Sequence, residues 1–308
     1  MPAKGLPATL KLGSRKGVKA ARTLCSTLGR RVDDVTFSPY ADLSRPPLSQ
    51  PAMARALARD PTGLWDEVHV LAHTGSTNAD VAAAARAGRG EGLVVVAEEQ
   101  ATGRGRLGRA WVSPPRAGLT FSMLFRPDVA PARLPLLTLL VASATAQAIV
   151  ERTDVEVRVK WPNDLVVGDR KLAGLLAEVA GGAVVVGVGL NVSTRREELP
   201  RSDATSVQLE RGPGAEPVDR MPLLLAVLRT VGNAYRGWLE TDGSAEAVLV
   251  PYRALSATLG RRVRAEMAPG VELVGTAVDV GPAGQLLVED GQGRHEVSAA
   301  DVIHLRPA

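Results

Sequence analysis

Aromatic side chains are scarce in this chain, which has three Phe, three Tyr and four Trp among 308 residues. Its core must therefore be built from Val, Leu and Ala, and an apolar content of 45% supplies them. A single cysteine, Cys25, excludes any intrachain disulfide and fits a reducing compartment. The longest apolar stretch, residues 134–150, is interrupted by Pro135, Thr138, Ser143, Thr145 and Gln147, so no membrane partner is expected. No secretory leader is readable, and the expected location is the cytoplasm.

Several catalytic signatures are missing as well. There is no Walker A loop, which excludes a P-loop ATPase, and no Gly-x-Ser-x-Gly elbow or Cys/His pair to support a hydrolase. His69 and His73 are four apart but lack the adjoining Glu of a zinc-protease helix, so they read as packing or surface histidines.

The sequence pI near 9.5 points towards nucleic acid until the charge is located. Residues 1–50 hold nine Lys or Arg against three Asp, a net +6 where the whole chain is +4, which leaves the other 258 residues at −2. The basic signal belongs to the tail. Two amphipathic helices joined by a short turn cannot be drawn through that tail, so no sequence-specific DNA binding is expected.

Three regions follow from composition and period. Residues 1–55 are basic and proline-interrupted and are expected to be disordered, apart from a short helix over 16–28. Residues 56–250 alternate strands (68–72, 93–97, 119–125, 157–160, 165–167, 172–179, 183–188) with helices (80–87, 134–151, 220–239, 245–255), and 200–217 read as a loop. Residues 251–308 turn to glycine-punctuated short strands (261–266, 271–280, 286–289, 295–298), the pattern of a small β-barrel. Periodicity alone gives α/β or α+β.

One loop stands out, Gly103-Arg104-Gly105-Arg106-Leu107-Gly108-Arg109-Ala110-Trp111. Three crowded arginines repel one another and the glycines carry an entropy cost, so a multiply anionic ligand is expected to close the loop. It matches the G-x-G-x-x-G dinucleotide fingerprint in letters only. That fingerprint needs a helix opening at its end, and here Pro114 and Pro115 follow.

Four further stretches accompany the loop: Ser76-Thr77-Asn78 heading a helix, Lys160-Trp161-Pro162-Asn163-Asp164 in a turn, Arg170-Lys171-Leu172-Ala173-Gly174 opening a strand, and Gly187-Val188-Gly189-Leu190-Asn191 in another. In this order they resemble the biotin protein ligases, over about residues 65–308. Ala204-Thr205-Ser206 and the C-terminal β region also fit that family. The resemblance implies an α+β fold, with a class II synthetase-like mixed sheet packed by helices and a small C-terminal SH3-like β-barrel. It further implies that residues 56–250 form a catalytic domain using ATP, biotin and Mg²⁺. The activity implied is formation of biotinyl-5′-AMP and pyrophosphate, then transfer of biotin to a lysine. That lysine belongs to the biotin carboxyl carrier domain of an acetyl-CoA, acyl-CoA or pyruvate carboxylase. Many relatives carry an N-terminal winged helix; this tail departs from that pattern, so a monofunctional ligase is expected, as a monomer or weak homodimer.

The same resemblance distributes roles among the residues. Lys171, Arg104 and Arg106 are expected to act in catalysis, since a carboxylate must approach an α-phosphate and both anions need cationic donors. Biotin is expected against Ser76, Thr77, Asn78, Gln100, Arg104, Gly105, Arg106, Lys171, Gly187 and Gly189. The adenylate is expected against Arg106, Arg109, Trp111, Lys160, Asn163, Lys171 and Asn191. Asp164, with Asn163 beside it, could offer oxygen to Mg²⁺. Capping and turn chemistry are the plainer explanations for Ser76, Thr77 and the Pro162-Asn163-Asp164 turn. The alternatives are a lipoate or octanoate ligase or transferase of the same fold, or a ligand-sensing DNA-binding regulator.

Overall fold

The computed structural model describes residues 44–268, 271–298 and 300–305. The expected helix over 16–28, most of the basic tail and Cys25 lie outside them. Residues from Arg45 onward form one compact unit. Its first sheet contains β1 (Glu67–Leu71), β2 (Leu93–Ala97), β3 (Gly118–Phe125), β4 (Arg158–Lys160), β5 (Asp164–Val167), β6 (Arg170–Ala180) and β7 (Ala183–Asn191), in the order β1-β2-β3-β7-β6-β5-β4. Only β1 and β2 run parallel; the other neighbours are antiparallel. Around it lie α1 (Gln50–Leu57), α2 (Thr77–Arg86), α3 (Leu136–Thr153), α4 (Val207–Arg211), α5 (Arg220–Glu240) and α6 (Ala245–Leu255). The second sheet, β8 (Arg262–Ala268), β9 (Val271–Val280), β10 (Leu286–Asp290), β11 (Gly293–Val297) and β12 (Asp301–His304), is antiparallel in the order β11-β10-β9-β8-β12. The expected α+β class holds.

Side-chain alternation divides the large sheet between two environments. In β7, Val184, Val186, Val188 and Leu190 enter the main core with α3, α5 and α6, while Ala183 and Val185 join a smaller cluster under α2. Gly187, Gly189 and Asn191 continue the second face, where the helical cover ends. In β3, Leu119, Phe121, Met123 and Phe125 face the main core, leaving Thr120 and Ser122 on the other side. Helix α3 is long and apolar enough to cross a membrane, yet 67% of its apolar window is buried inside the protein.

Three expectations need correction, and one strand was not foreseen. Residues 44–55 are not disordered: Ser49 caps α1, Pro51 occupies its first turn, where a missing N–H costs nothing, and Met53 and Leu57 are buried. The expected boundary at 250/251 falls inside α6, and the second sheet starts at Arg262. The loop over 200–217 contains α4, capped by Ser206 through the Leu209 N–H. Strand β12, unforeseen, pairs with β8.

Candidate active site

All sixteen residues named above line one cleft of about 720 Å³ on the α2 face of the large sheet. Its floor is Thr120, Gly174, Gly187, Gly189 and Asn191. Glycine at 187 and 189 is required by close approach: a Cβ at Gly187 would collide with Asn78 Oδ1, and one at Gly189 with the Trp111 indole. The Asn191 amide donates to Thr205 O (3.0 Å) and so ties β7 to the turn before α4.

At one end of the cleft a polar network surrounds the start of α2. Gln100 Oε1 accepts from the Thr77 backbone N–H (2.8 Å) and from the Thr77 hydroxyl (3.1 Å). Ser122 Oγ, fully buried, lies 2.7 Å from Thr77 Oγ1 and 2.6 Å from Asn78 Oδ1. The Asn78 amide nitrogen donates to Leu176 O and to Glu178. Ser76 stands at the N-cap position, but its side chain makes no capping hydrogen bond. Side-chain capping therefore does not explain Ser76, although it stands at the head of the helix.

The arginine loop folds back on itself. Gly105 N–H donates to Arg109 O (2.7 Å), Trp111 N–H donates to Gly103 O (2.9 Å), and Arg104 bridges Ala110. Arg106 donates to Asn163 Oδ1 and Ala300 O, both at 3.3 Å, and Arg109 pairs with Asp301. The loop thus reaches the second sheet. Leu107, at its tip, holds a left-handed φ of 55° and is 75% exposed. Trp111 packs over Gly189 and beside Gly174, with its indole Nε1 buried and unpartnered.

Opposite lies the β4–β5 turn. Lys171 Nζ is 2.7 Å from Asp164 Oδ1, and the Lys171 backbone is held by Asp203 O and the Thr205 N–H. Burial pushes the Lys160 ammonium below its ordinary range, with the Asp164 carboxylate opposing and Lys171 reinforcing the shift. Trp161 is core: it is buried, and its indole N–H donates to Gly284 O (3.0 Å).

The arrangement bears on magnesium. Asn163 donates to Leu175 O and accepts from Arg106, so its amide is spent on structure. Asp164 is shared with Lys171, and no group of three or more His, Cys, Asp or Glu that could hold a metal exists among the described residues. This donor set does not fit a preformed cage; it would suit Mg²⁺ brought in on phosphate oxygens, for which Asp164 is the carboxylate available.

Sequence reasoning missed Ser122, Asp203, and the contribution of Ala300 and Asp301. Ser122 had a signal, since it alternates with apolar residues in Leu119-Thr120-Phe121-Ser122-Met123 and so must face away from the main core. Asp301 had none, because only tertiary folding brings β12 to Arg109. His69 and His73 pair with Glu67 and Glu99 on the surface.

Residues 76–194 match the biotin/lipoate A/B protein ligase family, and residues 258–305 match the biotin protein ligase C-terminal domain. A biotin–[acetyl-CoA-carboxylase] ligase of Mycobacterium tuberculosis is 38% identical over 270 residues, which cover 86% of this chain and 98% of that one. The bifunctional ligase/repressor BirA of Bacillus subtilis is 31% identical, over 69% of this chain and 66% of its own. Among solved structures, the biotin protein ligase of Aquifex aeolicus in complex with biotin and ATP superposes with a TM-score of 0.68 at 26% identity, covering 78% of this chain and 100% of that one.

Proposed function

The chain belongs to the biotin/lipoate A/B protein ligase family, and we propose from this premise that it is an ATP-dependent biotin protein ligase whose chemistry runs in the cleft under the arginine loop. In the first step a biotin carboxylate oxygen attacks the α-phosphorus of ATP. The bond to the β-phosphate breaks, pyrophosphate leaves, and a mixed anhydride, biotinyl-5′-AMP, remains. In the second step a lysine amine attacks the acyl carbon, an amide forms and AMP departs.

The observation that carries this reading is the convergence of Arg104, Arg106 and Lys171 on one cleft beside a polar pocket. Two anions must meet in the first step, and fixed cations lower that barrier more than water could. Lys171 is a point charge held in place by Asp164, suited to the oxygen where charge concentrates. Ser76, Thr77, Asn78 and Gln100 are suited to the ureido end of biotin, with Gly187 giving it room. Trp111, Arg109, Lys160, Asn163, Asn191 and Gly189 are suited to the nucleotide. Magnesium, when bound, neutralises phosphate charge. Gly105 leaves the loop free to approach the acyl chain.

The acceptor is the biotin carrier domain of a carboxylase, of the acetyl-CoA, acyl-CoA or pyruvate type, and the protein acts in the cytoplasm as a monomer or weak homodimer. Residues 45–308 hold 29 Lys or Arg against 30 Asp or Glu, a net −1, which supports a ligase without operator binding over a DNA-binding regulator. The test is transfer of labelled biotin to the lysine of a purified carrier domain, with wild type and Lys171→Ala side by side. The reading requires label on the carrier with wild type and a large loss with the variant; label in neither, with ATP present, contradicts it.

A further inference from the structure

Arg220, the first residue of α5, lies outside the cleft and makes contacts that its helix does not need. Its Nη1 donates to Glu98 Oε2 at 2.6 Å and to Gly118 O at 3.1 Å, and its Nη2 donates to Pro46 O at 2.7 Å. Glu98 directly follows β2 and Gly118 opens β3, so these are the two feet of the segment that carries Gln100 and the arginine loop. The feet also meet directly, since Arg116 N–H donates to Glu98 O at 3.0 Å. Both side chains of the Arg220–Glu98 pair are sealed, at 6% and 7% exposed.

The segment 45–48 forms the seal. Leu48 N–H donates to Glu98 Oε1 at 2.5 Å, Pro46 O takes the second arm of Arg220, and Arg45 pairs with Glu198 at 2.6 Å while donating to Ser193 O at 2.7 Å. Ser193 lies two residues beyond Asn191, so the strap also touches the end of β7 that forms the cleft floor. A guanidinium fork can hold two acceptors in fixed relation, which a flexible ammonium cannot.

We propose that Arg220 is a positioning residue for the ligase reaction: with Glu98 and the 45–48 strap it clamps the feet of the arginine loop, setting where Gln100 and Arg104 to Arg109 stand over the substrate. The proposal rests on the ligase reading. Its consequence is a loop that holds the anhydride away from water until the acceptor lysine arrives.

The test compares wild type with Arg220→Lys and Glu98→Gln, the latter keeping shape and the acceptor for Leu48 while removing charge. Three quantities are read: KM for biotin, KM for ATP, and AMP released per carrier biotinylated. The clamp predicts a rise in biotin KM of about tenfold and a several-fold rise in AMP per transfer for folded variants, on the scale of a lost charged hydrogen bond. A purely structural role predicts activity falling in proportion to the folded fraction, with KM and coupling unchanged, and that result overturns the proposal. If Arg220→Lys does not fold, Glu98→Gln decides; unfolding of both also overturns it. A wild type inactive with biotin would instead condemn the ligase reading.

Discussion

Lys171 Nζ and Asp164 Oδ1 stand 2.7 Å apart on neighbouring strands, with side chains 36% and 24% exposed. The pair joins the β4–β5 turn to the opening of β6 and fixes a cation on the cleft wall. Lys171→Ala is expected to lower the rate of adenylate formation by about 10²–10³, the usual effect of removing one donor at developing charge. Lys171→Arg is expected to restore little, because a larger planar head must fit beside Gly174, where Nζ already lies 3.3 Å from the point a Cβ at that glycine would occupy. Asp164→Asn should cost less, about tenfold, since the cation stays while its tether and the carboxylate offered to Mg²⁺ both weaken. Single-turnover formation of biotinyl-AMP measures all three.

The two floor glycines separate the ends of the cleft. Gly187→Ala forces a methyl against Asn78 and the Ser122 network, so biotin KM is expected to rise at least tenfold with a smaller change in ATP KM. Gly189→Ala displaces Trp111, so the larger change should appear in ATP KM. Equal effects on both substrates from either variant would contradict the assignment of ends. Steady-state kinetics with each substrate varied decides it.

Acid should loosen the junction between the sheets. Burial, with Lys160 and Arg261 nearby, lowers the His304 pKa from 6.5 to about 4. Its Nε2 lies 3.1 Å from Thr258 Oγ1, which accepts from the Trp161 backbone N–H. Above pH 6.5 the ring is neutral whether folded or unfolded and its contribution is complete. Between 6.5 and 4 the unfolded chain takes up the proton first, so stability falls as pH falls. Solvent still reaches the ring, and the loss is discounted to about 1–2 kcal/mol. Urea midpoints from pH 7.5 to 4 measure it, and His304→Asn should flatten that part of the profile.

The arginine loop should respond to ligand. Arg109–Asp301 is an exposed pair, worth at most about 1 kcal/mol, so the loop is held to the second sheet weakly. Biotin with ATP is expected to slow proteolysis within 103–112 by about tenfold, and Asp301→Ala to speed it without ligand. Cleavage at equal rates with and without both substrates would count against a closing lid.

Strand identity and the main helices were legible because each depends on local pattern, whereas the cleft residues came from the resemblance to a family's motifs, which no period supplies. The alternation of Val184 to Leu190 and the turn at Pro162-Asn163-Asp164 carry their structure in neighbouring residues. The strap was not legible. Pro46, Pro47 and Pro51 read as breakers, whereas Pro51 serves a first helical turn and Pro46 offers its carbonyl to a guanidinium 174 residues away. Arg45 counted as tail charge when it is buried against Glu198. Asp301 and Arg220 act through partners more than 100 residues distant, which no local period can show.

Joining of biotin to AMP in this cleft is checked by exchange of labelled pyrophosphate into ATP, measured on the wild type with biotin or with lipoate as the acid. Exchange is expected with biotin and is expected to be absent or far slower with lipoate; exchange with lipoate and none with biotin would overturn the biotin assignment.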